Sequence, residues 1–458
     1  MSLGSSLFIS VQAMLTDQAA LAVTSNNIAN VNTPGYTREV ANMEEAAPAQ
    51  FGNLEFGGGV QLSNIQSVRD NILQLRLNQE TQSQGALNTF TNGMNQIQTV
   101  FNEASGAGLQ SLLSSFFNSF QNVAADPTNS GDRQAVIGAA QGLASGFQQT
   151  ATTLAQQQQN ADQGVVQTVQ QINQLTAQIA NLNGEIATTA GANLNTNSFE
   201  DQRDQLITQL SGLIDLQTIA ANGNTLTLTT NNGTQLVVGN QSFNLQTGVN
   251  PTTSFQDVYA QGTDITSSIQ GGTLAGDIQL RDQEIPSLQN SLDTLAYNIE
   301  NSVNSQNAAG YDLNGNAGGN IFQPPSVAGA ALNMAVAITD PNLIAASGDG
   351  TSGDNTNATA LANLQNQNIV NGQNPINYYA DLVSTIGNDA QTASNQLTGG
   401  TLLIQQLNDQ ISSVSGVSLN EEGANLILYQ NAYTAASRVA NVVDTLYQTA
   451  IAMVPAAT

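Results

Sequence analysis

The sequence predicts a mainly α-helical chain carrying a β insertion, and three observations predict it. Apolar residues recur at spacings of three and four along most of the 458 residues, which is the stripe of an amphipathic helix. One stretch, residues 217–275, instead alternates with period two and is rich in Thr and Gly, the pattern of strands and hairpins. Hydrophobic residues make up 40% of the chain, aromatics only 5%, and Trp is absent. Cores of Leu, Ile, Val and Ala follow, as in helix bundles.

The elements can be justified in order. Leu7, Val11 and Met14 form one stripe near the start, with Phe8, Leu15 and Ala22 beside it. Ile65, Val68, Ile72 and Leu75 are spaced 3-4-3, and Leu87, Phe90, Met94, Ile97 and Phe101 continue the rhythm. Leu109 to Val123, Val136 to Leu154 and Val165 to Ile186 repeat it, the last over a Gln-rich polar face. In G-N-T-L-T-L-T-T-N-N-G-T-Q-L-V-V-G (Gly223–Gly239) the pattern changes. Leu226, Leu228 and Thr230 lie on one side, N-N-G turns the chain, and Thr234, Leu236 and Val238 follow as the second arm of a hairpin. Helical spacing returns from Ile285 to Val303 and, after a Gly/Asn-rich stretch, from Ala358 to about Val414.

The last segment carries the clearest signal. Leu426, Tyr429, Tyr433, Ala436, Ala440, Val443, Tyr447, Ala450 and Val454 are spaced 3-4-3-4-3-4-3-4, an a/d seam. Leu428, Ala432, Ala435, Val439, Val442 and Leu446 add a second stripe. A surface helix needs one apolar stripe, so the second calls for further helices. Residues 1–40 and 416–458 are therefore expected to pair as a terminal coiled-coil core. Residues 41–216 and 276–415 are expected as a helical-bundle body, and 217–275 as a small inserted β domain.

Composition excludes several chemistries. The chain has no Cys and no His, hence no Ser-His-Asp triad and no N/S zinc site. All seven basic residues are Arg, so no Schiff-base or phosphate-loop lysine exists. A net charge of −26 opposes nucleic-acid binding, which needs cations for phosphates, and attachment to anionic lipid heads. No apolar run approaches the roughly 18 residues of a membrane span, and the start M-S-L-G-S-S-L-F-I-S has no basic n-region of a cleaved signal. No nucleic-acid partner, no membrane partner, no cofactor and no catalytic or metal-binding residue is expected.

Three acidic clusters bear on that expectation. Asp312, Asn314 and Asn316 open like a calcium loop, but Ala317 stands where Gly is wanted and Gln323 where a bidentate Glu is required, which leaves an Asx-rich turn. Glu200, Asp201, Arg203 and Asp204 cluster in F-E-D-Q-R-D-Q-L; a helix start capped by Asn197 or Ser198 explains them better than a glycosidase carboxylate pair. Glu421 and Glu422 likewise suit the first turn of the last helix, with Ser418 or Asn420 as cap.

The stretch N-N-I-A-N-V-N-T-P-G-Y-T (Asn26–Thr37) fits neither bundle nor strand. Asn30 lies three and four residues after Asn27 and Asn26, so the three amides share a helix face. Thr33 before Pro34 is pushed extended, and Pro34-Gly35 suits a type II turn ahead of Tyr36.

With its flanks, S-N-N-I-A-N-V-N-T-P-G-Y-T-R resembles the N-terminal signature of bacterial flagellar axial proteins of rod, hook and hook-associated type. G-V-S-L-N-E-E-G-A-N-L-I-L-Y-Q-N-A-Y-T-A-A-S-R-V-A resembles their C-terminal signature. Interior stretches such as D-P-T-N-S-G-D-R-Q-A-V, G-G-T-L-A-G-D-I-Q-L-R-D and D-L-N-G-N-A-G-G-N-I-F resemble the hook-associated branch, and within it the first junction protein. That resemblance implies a nested axial architecture with the β domain outermost and a structural, non-enzymatic role at the hook–filament junction. It implies export by the flagellar type III route to an extracellular position. The implied partners are further copies of the chain in a ring or helical layer, the hook protein, the second junction protein of the hook-associated set, and an export chaperone. Leu7, Val11, Met14, Asn26, Asn27, Asn30, Pro34, Gly35 and Tyr36, with Leu426, Tyr429, Tyr433, Ala436, Ala440, Val443 and Tyr447, are the expected assembly residues, the amides bonding to neighbouring chains. The alternatives are another rod or hook protein, or a secreted coiled-coil adhesin.

Overall fold

The computed structural model describes residues 3–51, 54–101 and 108–453; Val454, the last position of the C-terminal seam, lies outside them. In chain order the elements are helix α1 (Leu3–Ala29), strands β1 (Glu39–Glu45), β2 (Ala49–Phe51), β3 (Leu54–Phe56) and β4 (Val60–Ser67), and helices α2 (Asn71–Val100), α3 (Leu109–Ala125), α4 (Ser130–Gly191) and α5 (Asn197–Ser211). Strands β5 (Gln217–Ala220), β6 (Leu226–Thr229), β7 (Gln235–Val238), β8 (Gln241–Ser242), β9 (Leu245–Val249), β10 (Gln256–Ala260) and β11 (Thr263–Asp264) follow. The chain then forms α6 (Gly272–Gln279), a π-helical turn at Leu280–Glu284, α7 (Ile285–Ala308), α8 (Ala330–Asn333), α9 (Thr356–Asn363), α10 (Pro375–Ser415) and α11 (Leu419–Ala452). This is the mainly α chain with small antiparallel sheets that the periodicity predicts.

Two compact units result, one from Met1–Gln82, Gln171–Leu245 and Thr401–Thr458, the other from Ser83–Gln170 and Gln246–Gly400. The second holds the main apolar core. Phe116 meets Phe117 and Phe322 at a tilt and Phe120 edge-on, at centroid distances of 5.2, 5.5 and 5.3 Å, packed among Leu113, Leu292, Leu295 and Ile299. Two arginines are buried there. Arg133 donates to the carbonyls of Pro127 and Ile344 at 2.7 and 2.5 Å, and Arg281 to Asp162 at 2.8 Å and the Gln256 carbonyl at 2.6 Å. Asp312 forms the Asx turn expected of it, accepting from the Asn314 and Asn316 amides at 2.9 and 2.8 Å.

Several expectations need correcting. The helical spacing at Ile65–Leu75 is not one helix: residues 60–67 form β4, paired antiparallel with β1, and α2 begins at Asn71, where the Asp70 carboxylate accepts from the Ile72 and Leu73 amides at 2.9 and 3.1 Å. The β1–β4 hairpin went unread because its arms are polar and their pairing is closed by long-range hydrogen bonds. The rhythms at Val136–Leu154 and Val165–Ile186 belong to one helix of 62 residues. Strands between 217 and 264 form two sheets, one ordered β5-β6-β7-β8 and one β11-β10-β9. A bulge between Leu228 and Thr229 shifts the parity of the hairpin, so Val237 is buried where Val238 was expected. Finally, α1 is long and apolar enough on average to cross a membrane, the one such helix among the described residues. Its Ser, Thr and Gln residues and Asp17 break up every continuous apolar run, which is why run length missed it.

Candidate assembly interface

In the first unit α1 lies along α11, and their contact has an unequal chemistry. On α11 it is the predicted seam: Val443 is buried, and Leu426, Tyr429, Tyr433, Ala436, Ala440 and Tyr447 are half-buried. On α1 the buried residues include Ser10, Asp17, Ala20, Thr24 and Asn27, spaced 7-3-4-3. Small and polar side chains let the two backbones approach closely, and a search for apolar stripes cannot find them. Leu7 and Met14 are only half-buried and Val11 is exposed, so the apolar stripe first read on α1 is not its most buried face.

Asn27 organises the inner end of the pair. Its Nδ2 donates to the Glu39 carbonyl at 2.8 Å and to Glu422 Oε1 at 3.1 Å. Its Oδ1 accepts from the Glu39 amide at 3.0 Å and from the Tyr36 hydroxyl at 2.8 Å. Two donors and two acceptor sites are the full capacity of an amide side chain, so nothing is left for a neighbouring chain. Asn26 donates to Tyr36 Oη at 3.2 Å and Asn30 to Asn26 Oδ1 at 2.9 Å. All three amides therefore bond within their own chain, and Asn27 with its full capacity. Burial, then the charges of Glu39, Asp201 and Glu422, raise the Tyr36 phenol well above its ordinary pKa, so the hydroxyl stays a donor.

Beyond the helix the chain makes the turn expected at T-P-G-Y. The Tyr36 amide donates to the Thr33 carbonyl at 3.2 Å, and Gly35 sits at φ 74°, a value that favours glycine. A Cβ there would also collide with the Gln205 side chain, whose Nε2 donates to the Pro34 carbonyl at 2.6 Å. Next, the Arg38 amide donates to the Ser415 carbonyl at 2.8 Å and its guanidinium reaches Glu421 at 3.2 Å. Ser418 caps α11 by accepting from the Glu421 amide.

The acids of F-E-D-Q-R-D-Q-L have a role that the capping reading missed. They sit at the start of α5, with Thr196 rather than Asn197 or Ser198 at the cap position. Arg69 pairs with Glu200 and, at 2.7 Å, with Asp201, while the other Asp201 oxygen accepts from the Thr37 amide at 3.0 Å. Arg203 is buried, donating to Asn183 Oδ1 at 3.1 Å and the Asn224 carbonyl at 2.6 Å. Burial raises the Glu200 carboxyl, but the Thr196 hydroxyl, Arg69 and Arg203 outweigh it and hold it below its ordinary value. Glu200 and Asp204 line a cleft of about 1020 Å³ beside β4, so the acids facing it are already counter-charged.

What α1 and α11 leave uncovered is apolar. Leu428, Val439, Val442 and Leu446 on α11 are exposed, as are Phe8, Val11 and Leu15 on α1. On α11 these belong to the second stripe, with Arg438 exposed among them; on α1 they are Phe8 and Leu15 of the second stripe and Val11 of the first.

Comparison with known proteins follows the same geography. Residues 7–37 match the flagella basal body rod protein family and residues 409–453 the C-terminal region of the flagellar basal body rod FlgEFG proteins. Residues 94–322 match the helical domain of the flagellar hook-associated protein FlgK. The chain is 31% identical to flagellar hook-associated protein 1 of Bacillus subtilis (strain 168) over 488 residues, covering 95% of each.

The chain belongs to the flagellar hook-associated protein 1 family.

Other proteins of that name, from Salmonella typhimurium and Escherichia coli K12, are each 28% identical over 532 residues, with 96% and 97% of their lengths covered. The solved flagellar hook junction protein FlgK of Burkholderia pseudomallei superposes with a TM-score of 0.68 at 20% identity, over 74% of this chain and 100% of that one, and shows a shared fold. In this member of the hook-associated protein 1 family, sequence reading found Asn27, Tyr36 and the α11 seam. It missed Glu422 as the partner of Asn27, and Arg69, Asp201 and Gln205 as the residues that hold the turn at Pro34–Thr37. Glu422 left a signal as an acid in the first turn of α11, and Asp201 as a member of the acidic cluster in F-E-D-Q-R-D-Q-L.

Proposed function

We propose that this chain is a structural subunit of the bacterial flagellum at the junction of hook and filament, assembling into a layer of copies through the exposed stripes of α1 and α11. The observation that carries this reading is the apolar face of Leu428, Val439, Val442 and Leu446, left open after the α11 seam has met α1. Exposed contiguous apolar surface of this kind marks a protein contact. On this reading the hook protein lies on one side and the second junction protein of the hook-associated set on the other. The Asn27 clasp gives each copy a fixed register between its two ends, so that every subunit offers the layer the same surface. Before assembly the same stripes need covering, which is the service of a cytosolic export chaperone, and the subunit travels unfolded through the flagellar type III apparatus.

A deletion strain tests this. Hooks without filaments, with flagellin released into the medium, are expected, and the wild-type gene should restore filaments. Filaments of normal number and length in the deletion strain would refute the junction role.

A further inference from the structure

The motif G-G-T-L-A-G-D-I-Q-L-R-D places Asp277 on α6, where three glycines allow unusually close packing. A Cβ on Gly276 would lie 2.7 Å from the Ala86 carbonyl oxygen, one on Gly93 would lie 2.3 Å from Leu280, and one on Gly164 would lie 2.6 Å from the Asp277 carboxylate. Asp277 is thereby wedged among α2, α4 and α6 with only 8% of its surface exposed. No donor among the described residues hydrogen-bonds to it. Arg281, one turn along, is turned instead to Asp162, Asp282 and the Gln256 carbonyl. A π-helical turn follows immediately at Leu280–Glu284, an irregularity frequent at functional sites.

Asp277 also lines a recess of about 220 Å³. Its walls include Ile97, Ala161, Leu280 and Ile285, and amides such as Asn92 and Gln96 stand at its exposed lip. Taking a carboxylate largely out of water is costly, and burial pushes the Asp277 carboxyl up to about 7, with Arg281 pulling the other way. A cation able to enter the recess would supply the missing counter-charge. The recess is too large for a bare ion and half apolar, so a charged head on a hydrocarbon stem suits it, as lysine stems suit apolar surfaces. The chain has no lysine of its own.

We propose that this recess binds a primary alkylammonium group, with the charge seated on Asp277 and the stem lying in the recess toward its lip at Asn92 and Gln96. The charged group acting on Asp277 is Arg281 on its own helical segment, which is already paired with Asp162 at 2.8 Å and Asp282 at 2.7 Å. These pairings leave the carboxylate open to an incoming cation.

The test titrates the full-length protein with 1-butylammonium, 1-butanol and N-acetyl-lysine-N′-methylamide, by calorimetry and by the carboxyl resonance of Asp277. The working pH lies above the point at which Asp277 ionises. Saturable binding of butylammonium is expected, at least about tenfold weaker in Asp277→Asn, as the loss of a charge-assisted hydrogen bond requires, with no saturable binding of butanol. In the wild-type protein, saturating butylammonium should lower the pH at which the Asp277 carboxyl titrates, a readout that does not depend on the variant folding. No saturable binding, equal binding by Asp277→Asn, equal binding of butanol, or an unmoved carboxyl titration overturns the proposal. Binding of the lysine derivative as well assigns the site to a lysine side chain of another protein; binding of the simple amine alone assigns it to a free amine.

Discussion

Asn27 and Glu422 stand 395 positions apart in the chain and 3.1 Å apart in the fold, with 1% and 2% of their surfaces exposed. Through this bond the N-terminal signature holds the C-terminal one, and it sets the register of α1 against α11. It also explains an amide-rich helix end that costs helix propensity, about 0.5–0.7 kcal/mol per Asn relative to Ala. Hydrogen bonds to the turn and to the other end of the chain offset that cost.

Asn27→Leu should therefore destabilise the first unit by about 2–4 kcal/mol, because it leaves the buried Glu422 carboxylate and the half-buried Tyr36 and Glu39 groups without the bonds that Asn27 made. Glu422→Gln keeps an acceptor for Asn27 and should cost under about 1 kcal/mol, whereas Glu422→Leu should approach the Asn27→Leu value. Urea unfolding checks the series. Equal midpoints for Asn27→Leu and the wild type would show the clasp to be dispensable.

Arg69→Met should cost about 3 kcal/mol or more by leaving Glu200 and Asp201 without their counter-charge. The sign with pH follows from Glu200, whose folded pKa is depressed. Its stabilisation is present above the unfolded value of about 4.3 and is lost as pH falls through the folded value. Thermal unfolding followed from neutral pH into acid should show a steep acid limb in the wild type and a shallower one in Arg69→Met.

Adjacent residues on α11 separate folding from assembly. Val442 is exposed and Val443 buried. Val442→Asp should leave the monomer's melting temperature nearly unchanged, within the roughly 0.5 kcal/mol typical of surface changes, and abolish filament attachment and motility. Val443→Asp buries a charge against α1 and should unfold the helix pair. Full motility in Val442→Asp would remove the exposed stripe from the assembly surface.

Glu300 lies within the core of the second unit, and one of its carboxylate oxygens is buried with no partner. Burial raises its pKa to about 8. Its folded pKa exceeds its unfolded one, so its contribution is intact below about pH 4.3 and declines as pH rises toward about 8, by at most about 1.4 kcal/mol per unit. Glu300→Gln should remove that part of the slope. Chemical denaturation at several pH values reads the difference between the two proteins, and parallel curves would place the carboxyl in contact with water.

The signals read without coordinates were local ones. Stripes at Leu109–Val123 and Ile285–Val303 became α3 and α7, and the Pro34-Gly35 turn and the Ser418 cap stand where their chemistry places them. Failures came wherever a distant partner decided the outcome. The polar arms of the β1–β4 hairpin have no periodicity to read, and one bulge beside Leu228 exchanged Val238 for Val237. The buried residues of α1 are mostly polar, with Ser10, Thr16, Asp17, Thr24 and Asn27 against Ala20 and Val23, so a search for apolar stripes does not outline them.

By itself the sequence determined the helical class, the matched character of the two ends and the turn that closes the first helix, because spacing, capping and glycine's access to positive φ act within a few residues. Only the tertiary structure decided which of α11's two stripes is spent inside the chain, and that the Asn27 amide is saturated by its own chain. Two stripes of similar apolar residues bury equally well against any partner, and a hydrogen bond to Glu422 leaves no trace in the spacing of the residues between them.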